Sequence, residues 1–188
     1  SFNVSTFTAR TITSSLSDIH SAITGAISSL KGPLHGGANE EVMHMMSKIK
    51  KPENALKWIN NALKNKDVVM GFGHRVYKSG DSRVPTMSEY FRKVSKIKKD
   101  KKFEKIYDIV AKVMMEKKNI YPNVDYPTGP MYHLMGFDTD FFTPIFVIAR
   151  ITGWSAHIME QHAANKLIRP LASYRGSKHR KVINLNQR

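Results

Sequence analysis

VVMGFGHRVYKSGDSRVP, residues 68–85, holds the only strand-like run in the 188-residue chain, VVMGFG, and that run is too short to found a sheet. The fold class therefore turns on the flanks, and both are patterned for helices. Upstream, Ile12, Leu16, Ile19, Ile23, Ala26, Ile27 and Leu30 keep the three-to-four spacing of one helix face. This predicts a single helix, ended where KGPLHGG (31–37) brings in glycines and a proline. Helical patterns resume over 40–49 and 53–65, the second with Pro52 in a first-turn position. Downstream, basic amphipathic helices are expected at about 86–98 and 102–118, followed by a proline-rich loop, NIYPNVDYPTGP (119–130). A short helix over 130–137 and a long one over about 143–165 complete the pattern, and 170–188 reads as extended or irregular. The expectation is an all-α protein.

Composition narrows the function classes. Hydrophobic residues make up 41% of the sequence, which together with the regular periodicity argues for a packed core over disorder. Cysteine is absent, so disulfide frameworks, thiolate metal sites and cysteine nucleophiles are excluded. That suits a reducing compartment, and the expected location is the cytoplasm. SFNVSTFTAR (1–10) has neither the basic nor the apolar region of a signal peptide. The apolar run FFTPIFVIARITGW (141–154) is interrupted by Arg150 and is too short to span a bilayer, so no membrane partner is expected. The formal net charge is +15, much of it in KVSKIKKDKKFEK (93–105), which reads as solvated helix faces. Nucleic-acid binding is the competing use of such a charge, but no zinc-finger spacing, RNP-like strand or recognition-helix signature accompanies it. Collection of polyanionic small molecules fits equally well.

The polar groups that look chemical lie on the breaks between helices. His35 stands in GPLHGGAN (32–39), His74 in GFGHRVYK (71–78) and Asp125 in PNVDYPTG (122–129). Glycine and proline beside each fix turns and let a substrate approach closely. Singly, each residue reads as turn or cap chemistry. Together they match proton transfer at carbon: a carboxylate takes the proton, and two imidazoles hydrogen-bond the oxygens where charge develops. A metal site is the competing use of the same three residues, but they show no His-x-x-x-His spacing and do not share one helix face, so no metal is expected. Arg150 is informative because TPIFVIARITGW (143–154) is apolar on nearly every side, which predicts a helix buried all round. An arginine there needs an anion, either an internal carboxylate or a substrate's. Arg83 in GDSRVP and Arg169 in LIRP are further candidates on loops or helix ends.

GPLHGGANE, MGFGHRVYKSGDSR, NVDYPTG and FTPIFVIARITGWSAHIMEQ, followed by NKLIRP, resemble the citrate synthase family, in its order, from residue 3 to about 175. GDSRVPTM, RITGWSAHIMEQH and LIRPLASY are most similar to its 2-methylcitrate synthase branch. The resemblance implies condensation of acetyl-CoA or propionyl-CoA with oxaloacetate, giving citrate or 2-methylcitrate, with acyl-CoA a substrate and no cofactor. It implies Asp125 as the base, His35 on the thioester oxygen and His74 on the oxaloacetate carbonyl. Arg83 and Arg150 would bind oxaloacetate carboxylates, and Arg169 would reach the site of a second subunit in a homodimer. Val69, Met70, Gly71, Phe72 and Gly73, with Arg75 and Lys78, would hold CoA. It also implies that 1–36 and 137–188 belong to a large domain and 37–136 to a small mobile one. The sequence then corresponds to a C-terminal half, inactive alone, with a further substrate-binding histidine upstream.

Overall fold

The computed structural model describes residues 3–77, 79–177 and 180–188. Among these the protein is all-α, and the strand-like run contributes no strand, only an isolated bridge between Phe72 and Pro122. The helix expected over 12–30 is instead a hairpin of α1 (Val4–Ser14) and α2 (Ile19–Leu30). Leu16 takes φ +67° and Asp18 caps α2 by accepting the N–H of Ser21 at 2.9 Å, so the apolar spacing runs straight through a real break. Ala9, Ala22 and Ala26 are fully buried, and these small side chains let the two helices approach closely.

A tight turn carrying His35 leads into α3 (Ala38–Ile49), then α4 (Pro52–Asn65), which opens on proline as expected. Irregular segments over 66–77 and 79–83 precede α5 (Val84–Lys98) and α6 (Lys102–Lys118). The proline-rich loop is shorter than predicted, because α7 spans Asp125–Met135 and Asp125 is its first residue. Pro127 falls within the first turn, where no N–H is needed, and Pro130 is accommodated inside the helix. Gly129 is required there: a Cβ would come within 2.8 Å of the Asn39 carbonyl on α3. After a 3-10 turn, α8 runs from Phe142 to Ala163, and the described residues of the tail are irregular apart from a short turn at Leu185–Gln187.

Two apolar clusters form. One joins α3 to α7 around Val42, Met46, Ile59, Phe91, Ile106 and Tyr126, and takes in Phe142 at the start of α8. The other joins α1, α2 and α8 around Ala22, Ala26, Leu30, Trp154 and Ile158. The expectation that α8 is buried all round fails. Trp154 and Ile158 are buried, but Ile148 is 74% and Met159 68% exposed, since the described residues that pack against the helix, chiefly from α1 and α2, leave these positions uncovered. The lysines of 93–105 are exposed, as their reading as solvated faces required. No helix among the described residues is long and apolar enough to cross a membrane.

Candidate active site

His35, His74 and Asp125 line one cavity of about 550 Å3, so the three breaks do converge. The cavity wall also includes Val69, Met70, Gly71, Phe72, Gly73 and Arg75. Lys78 lies outside the described residues. The two sides are laced together by Asn123, whose N–H donates to Gly71 O and whose Nδ2 donates to Gly73 O, both at 2.9 Å. The N–H of Gly73 returns a bond to Tyr121 O at 2.9 Å. Gly71 and Gly73 both have positive φ, +85° and +76°, which presents the loop backbone edge-on to the cavity.

Each imidazole is oriented by backbone N–H donation to one of its ring nitrogens. Nε2 of His35 accepts the N–H of Ser5 at 3.3 Å and lies 2.8 Å from Ser5 Oγ, so the ring proton belongs on Nδ1. Burial, and after it the charge of Arg150, push the His35 pKa down, which keeps the ring neutral. Trp154 holds Ser5 in turn, donating Nε1–H to its Oγ at 3.2 Å. In His74 it is Nδ1 that accepts, from the N–H groups of Val76 (3.1 Å) and Tyr77 (3.2 Å), leaving Nε2–H as the donor.

Asp125 is half-buried, and its pKa is raised to about 6. Burial is the main cause; the neighbouring Arg83 opposes it, and the carboxylate of Asp81 adds to it. A carboxylate with that pKa is both ionised at neutral pH and basic enough to take a proton.

Arg83 and Arg150 stand beside the cavity. Arg83 caps the start of α5 and is held by Asp81, a buried carboxylate that the sequence reading did not single out. Arg150 has a buried Nη1 with no hydrogen-bond partner and forms no ion pair among the described residues. Its guanidinium lies 5.0 Å from the centre of the Phe146 ring, and Phe146 meets His35 edge-on at 6.3 Å. Desolvation first, then repulsion from Arg83, lower the Arg150 pKa. Two guanidiniums close enough to repel, one of them unpaired, make a site for an anion. The internal salt bridge that is the alternative use of Arg150 is not formed among the described residues. Arg169 lies on the exposed segment after α8, apart from the cavity. Ser5, Trp154, Asn123 and Asp81 carried no readable signal, because each acts through a fold contact with a distant residue.

The pattern of the citrate synthase C-terminal domain matches residues 1–171, and the chain belongs to the citrate synthase family. Within it, the chain is closely related to the 2-methylcitrate synthase branch. 2-Methylcitrate synthase 2 of Corynebacterium glutamicum is 58% identical over 188 residues, covering all of this chain and 49% of that protein. A citrate synthase of Mycolicibacterium smegmatis is 54% identical over 183 residues, covering 97% of this chain and 49% of its own. Among solved structures, the ternary complex of citrate synthase from Thermoplasma acidophilum with carboxymethyl coenzyme A and oxaloacetate gives a TM-score of 0.88. That match is at 37% identity and covers all of this chain and 51% of that one. The chain thus spans about half the length of these relatives.

Proposed function

We propose that the complete protein condenses an acyl-CoA with oxaloacetate and hydrolyses the product thioester, as a 2-methylcitrate or citrate synthase. Asp125 takes a proton from the carbon alpha to the thioester carbonyl. Nδ1–H of His35 donates to the thioester oxygen as it gains enolate charge. The alpha carbon then attacks the ketone carbon of oxaloacetate, and the ketone oxygen takes a proton from Nε2–H of His74. Water cleaves the thioester and releases the CoA thiol. Arg83 and Arg150 bind the oxaloacetate carboxylates, and the backbone from Val69 to Gly73, with Arg75 and Lys78, receives CoA. The observation that carries this reading is the unpaired Arg150 guanidinium between His35 and Arg83.

The separate apolar clusters support a small domain over 37–136 that moves against 1–36 and 137–188. In this reading the enzyme is a cytoplasmic homodimer in which Arg169 completes the second subunit's site, and nucleic acid plays no part. The relatives' names support propionyl-CoA as the preferred donor over acetyl-CoA. The test is thiol release from each acyl-CoA with oxaloacetate. Turnover that needs both substrates and favours propionyl-CoA is expected; no oxaloacetate-dependent thiol release overturns the reading.

A further inference from the structure

Glu40 stands in the first turn of α3, just beyond the His35 turn, and its Oε1 accepts the backbone N–H of Thr143 at 2.9 Å. Thr143 lies in the first turn of α8, a helix with no side-chain cap of its own. A carboxylate from another helix therefore meets the free N–H groups and partial positive charge of this helix end. Thr143 is 7% exposed and its own Oγ1 is buried with no partner, so the amide–carboxylate bond is the polar tie at this point.

Arg150 follows two turns later along the same face of α8. Phe146 lies between them along the helix, in a T-shaped contact with the His35 ring and with the Arg150 guanidinium over its own ring. One turn beyond Arg150, Trp154 reaches the Ser5 hydroxyl that contacts His35. The face of α8 bearing Arg150 is thus anchored at its far end by a fully buried tryptophan. At the near end Phe142 is fully buried in the core cluster, and beside it a cavity of about 400 Å3 opens among Ile27, Lys31, Glu40, Asp140, Thr143 and Val147. Glu40 lines that cavity, and its bond to the Thr143 N–H adds a directional polar tie to the packing of Phe142.

We propose that Glu40 is a positioning residue that fixes the start of α8, and through it Arg150, against the His35 turn. The proposal rests on the reading of Arg150 as an oxaloacetate ligand. On a domain division at 36/37 and 136/137, the Glu40–Thr143 bond lies beside both chain crossings, where a hinge moves least.

The experiment compares E40L, E40Q and E40D with wild type in the complete protein, measuring KM for oxaloacetate, KM for acyl-CoA and kcat. E40L removes the acceptor, and should raise KM for oxaloacetate about 10-fold while moving KM for acyl-CoA less than about 2-fold. E40Q keeps an oxygen acceptor in place and should restore KM for oxaloacetate to within about 2-fold of wild type. E40D keeps the charge but shortens the reach, and should raise that KM at least about 3-fold, which preserves the test if E40L does not fold. Wild-type constants in both E40L and E40D overturn the proposal, as does an E40Q as impaired as E40L. Equal losses for both substrates overturn it too, by making Glu40 a support of the fold. A wild type without condensing activity overturns the proposed function and this inference with it; normal wild-type turnover with unchanged variants overturns this inference alone.

Discussion

Asp81 holds Arg83 with both carboxylate oxygens, Oδ1 taking Nε–H at 2.9 Å and Oδ2 taking Nη2–H at 2.7 Å. Oδ2 also accepts the N–H of Val124 at 3.2 Å, and Oδ1 that of Arg83 itself at 3.0 Å. One buried carboxylate thereby joins the segment after His74 to the residue before Asp125. Through the same contact it aims a guanidinium at the site and adds negative charge beside the base.

Asp81→Asn should cost stability and activity together. Burial acts to raise the Asp81 pKa, but the Arg83 bonds outweigh it and the net shift is downward. A depressed folded-state pKa contributes stability that is fully present above the unfolded value of 3.8 and is lost as pH falls through the folded value. With the Arg83 side chain 48% exposed, the expected loss is about 1–3 kcal/mol at pH 7. Denaturant titrations of wild type and D81N across pH should show a gap at neutral pH that closes in acid below 3.8. A gap independent of pH would mean that the charge of Asp81 is not what matters.

Asp125 shows the opposite sign. Its pKa is raised from 3.8 to about 6, so its contribution to stability is fully present below 3.8 and is lost as pH rises through about 6. At neutral pH the ionised carboxylate strains the fold by at most about 3 kcal/mol. Asp125→Asn should therefore raise the unfolding midpoint at pH 7, with the gain vanishing below 3.8, while lowering condensation at least about 100-fold. In wild type, kcat/KM should fall as pH drops through about 6, the base being protonated. A D125N protein no more stable than wild type at pH 7 would contradict the strained carboxylate.

Arg150→Leu separates ligand from scaffold. The guanidinium is desolvated, with a buried, unpaired Nη1, so its removal should leave thermal stability unchanged or slightly raised. Oxaloacetate affinity should weaken by about 2–4 kcal/mol, the scale for removing a charge-assisted hydrogen-bonding partner of a bound carboxylate. Calorimetric titration with oxaloacetate beside a thermal melt reads both quantities. A destabilised variant with normal affinity would assign Arg150 to the fold.

His35, His74 and Asp125 were legible because glycine and proline mark the breaks, and the breaks are where this fold gathers its polar groups. Asp81 was not, because GDSR reads as an ordinary turn and burial under Arg83 and Val124 is a property of the assembled loops. The gap between α1 and α2 was hidden for a different reason. Ile12, Leu16, Ile19 and Ile23 keep helical spacing across it, so periodicity could not register the left-handed Leu16, and only Asp18 as a cap offered a clue. Prolines misled in α7, since Pro127 falls where the helix has no N–H to lose. For α8, apolar composition said nothing about which face the described residues cover.

The two glycines of the cavity loop should respond differently to the same substitution. At Gly71, φ is +85° and an added Cβ would lie 2.7 Å from Cγ2 of Val42 and 2.8 Å from Cβ of Tyr126. Both neighbours are fully buried, and Tyr126 is stacked on Tyr107, lies tilted against the Phe72 ring and follows Asp125 directly. At Gly73, φ is +76° but the nearest atom to a new Cβ is Cγ2 of Ile120 at 3.5 Å, an ordinary contact. Gly73→Ala therefore carries left-handed backbone strain alone, about 1–2 kcal/mol. Gly71→Ala adds overpacking of about 1–3 kcal/mol, and any relief pushes Tyr126 and so displaces Asp125. Urea unfolding should rank G71A below G73A below wild type. Condensing activity in the surviving folded fraction should fall at least about 10-fold further in G71A than in G73A, on the scale that a small misplacement of a catalytic group produces. Equal effects at the two positions would show that the contact with Tyr126 does not hold the base in place.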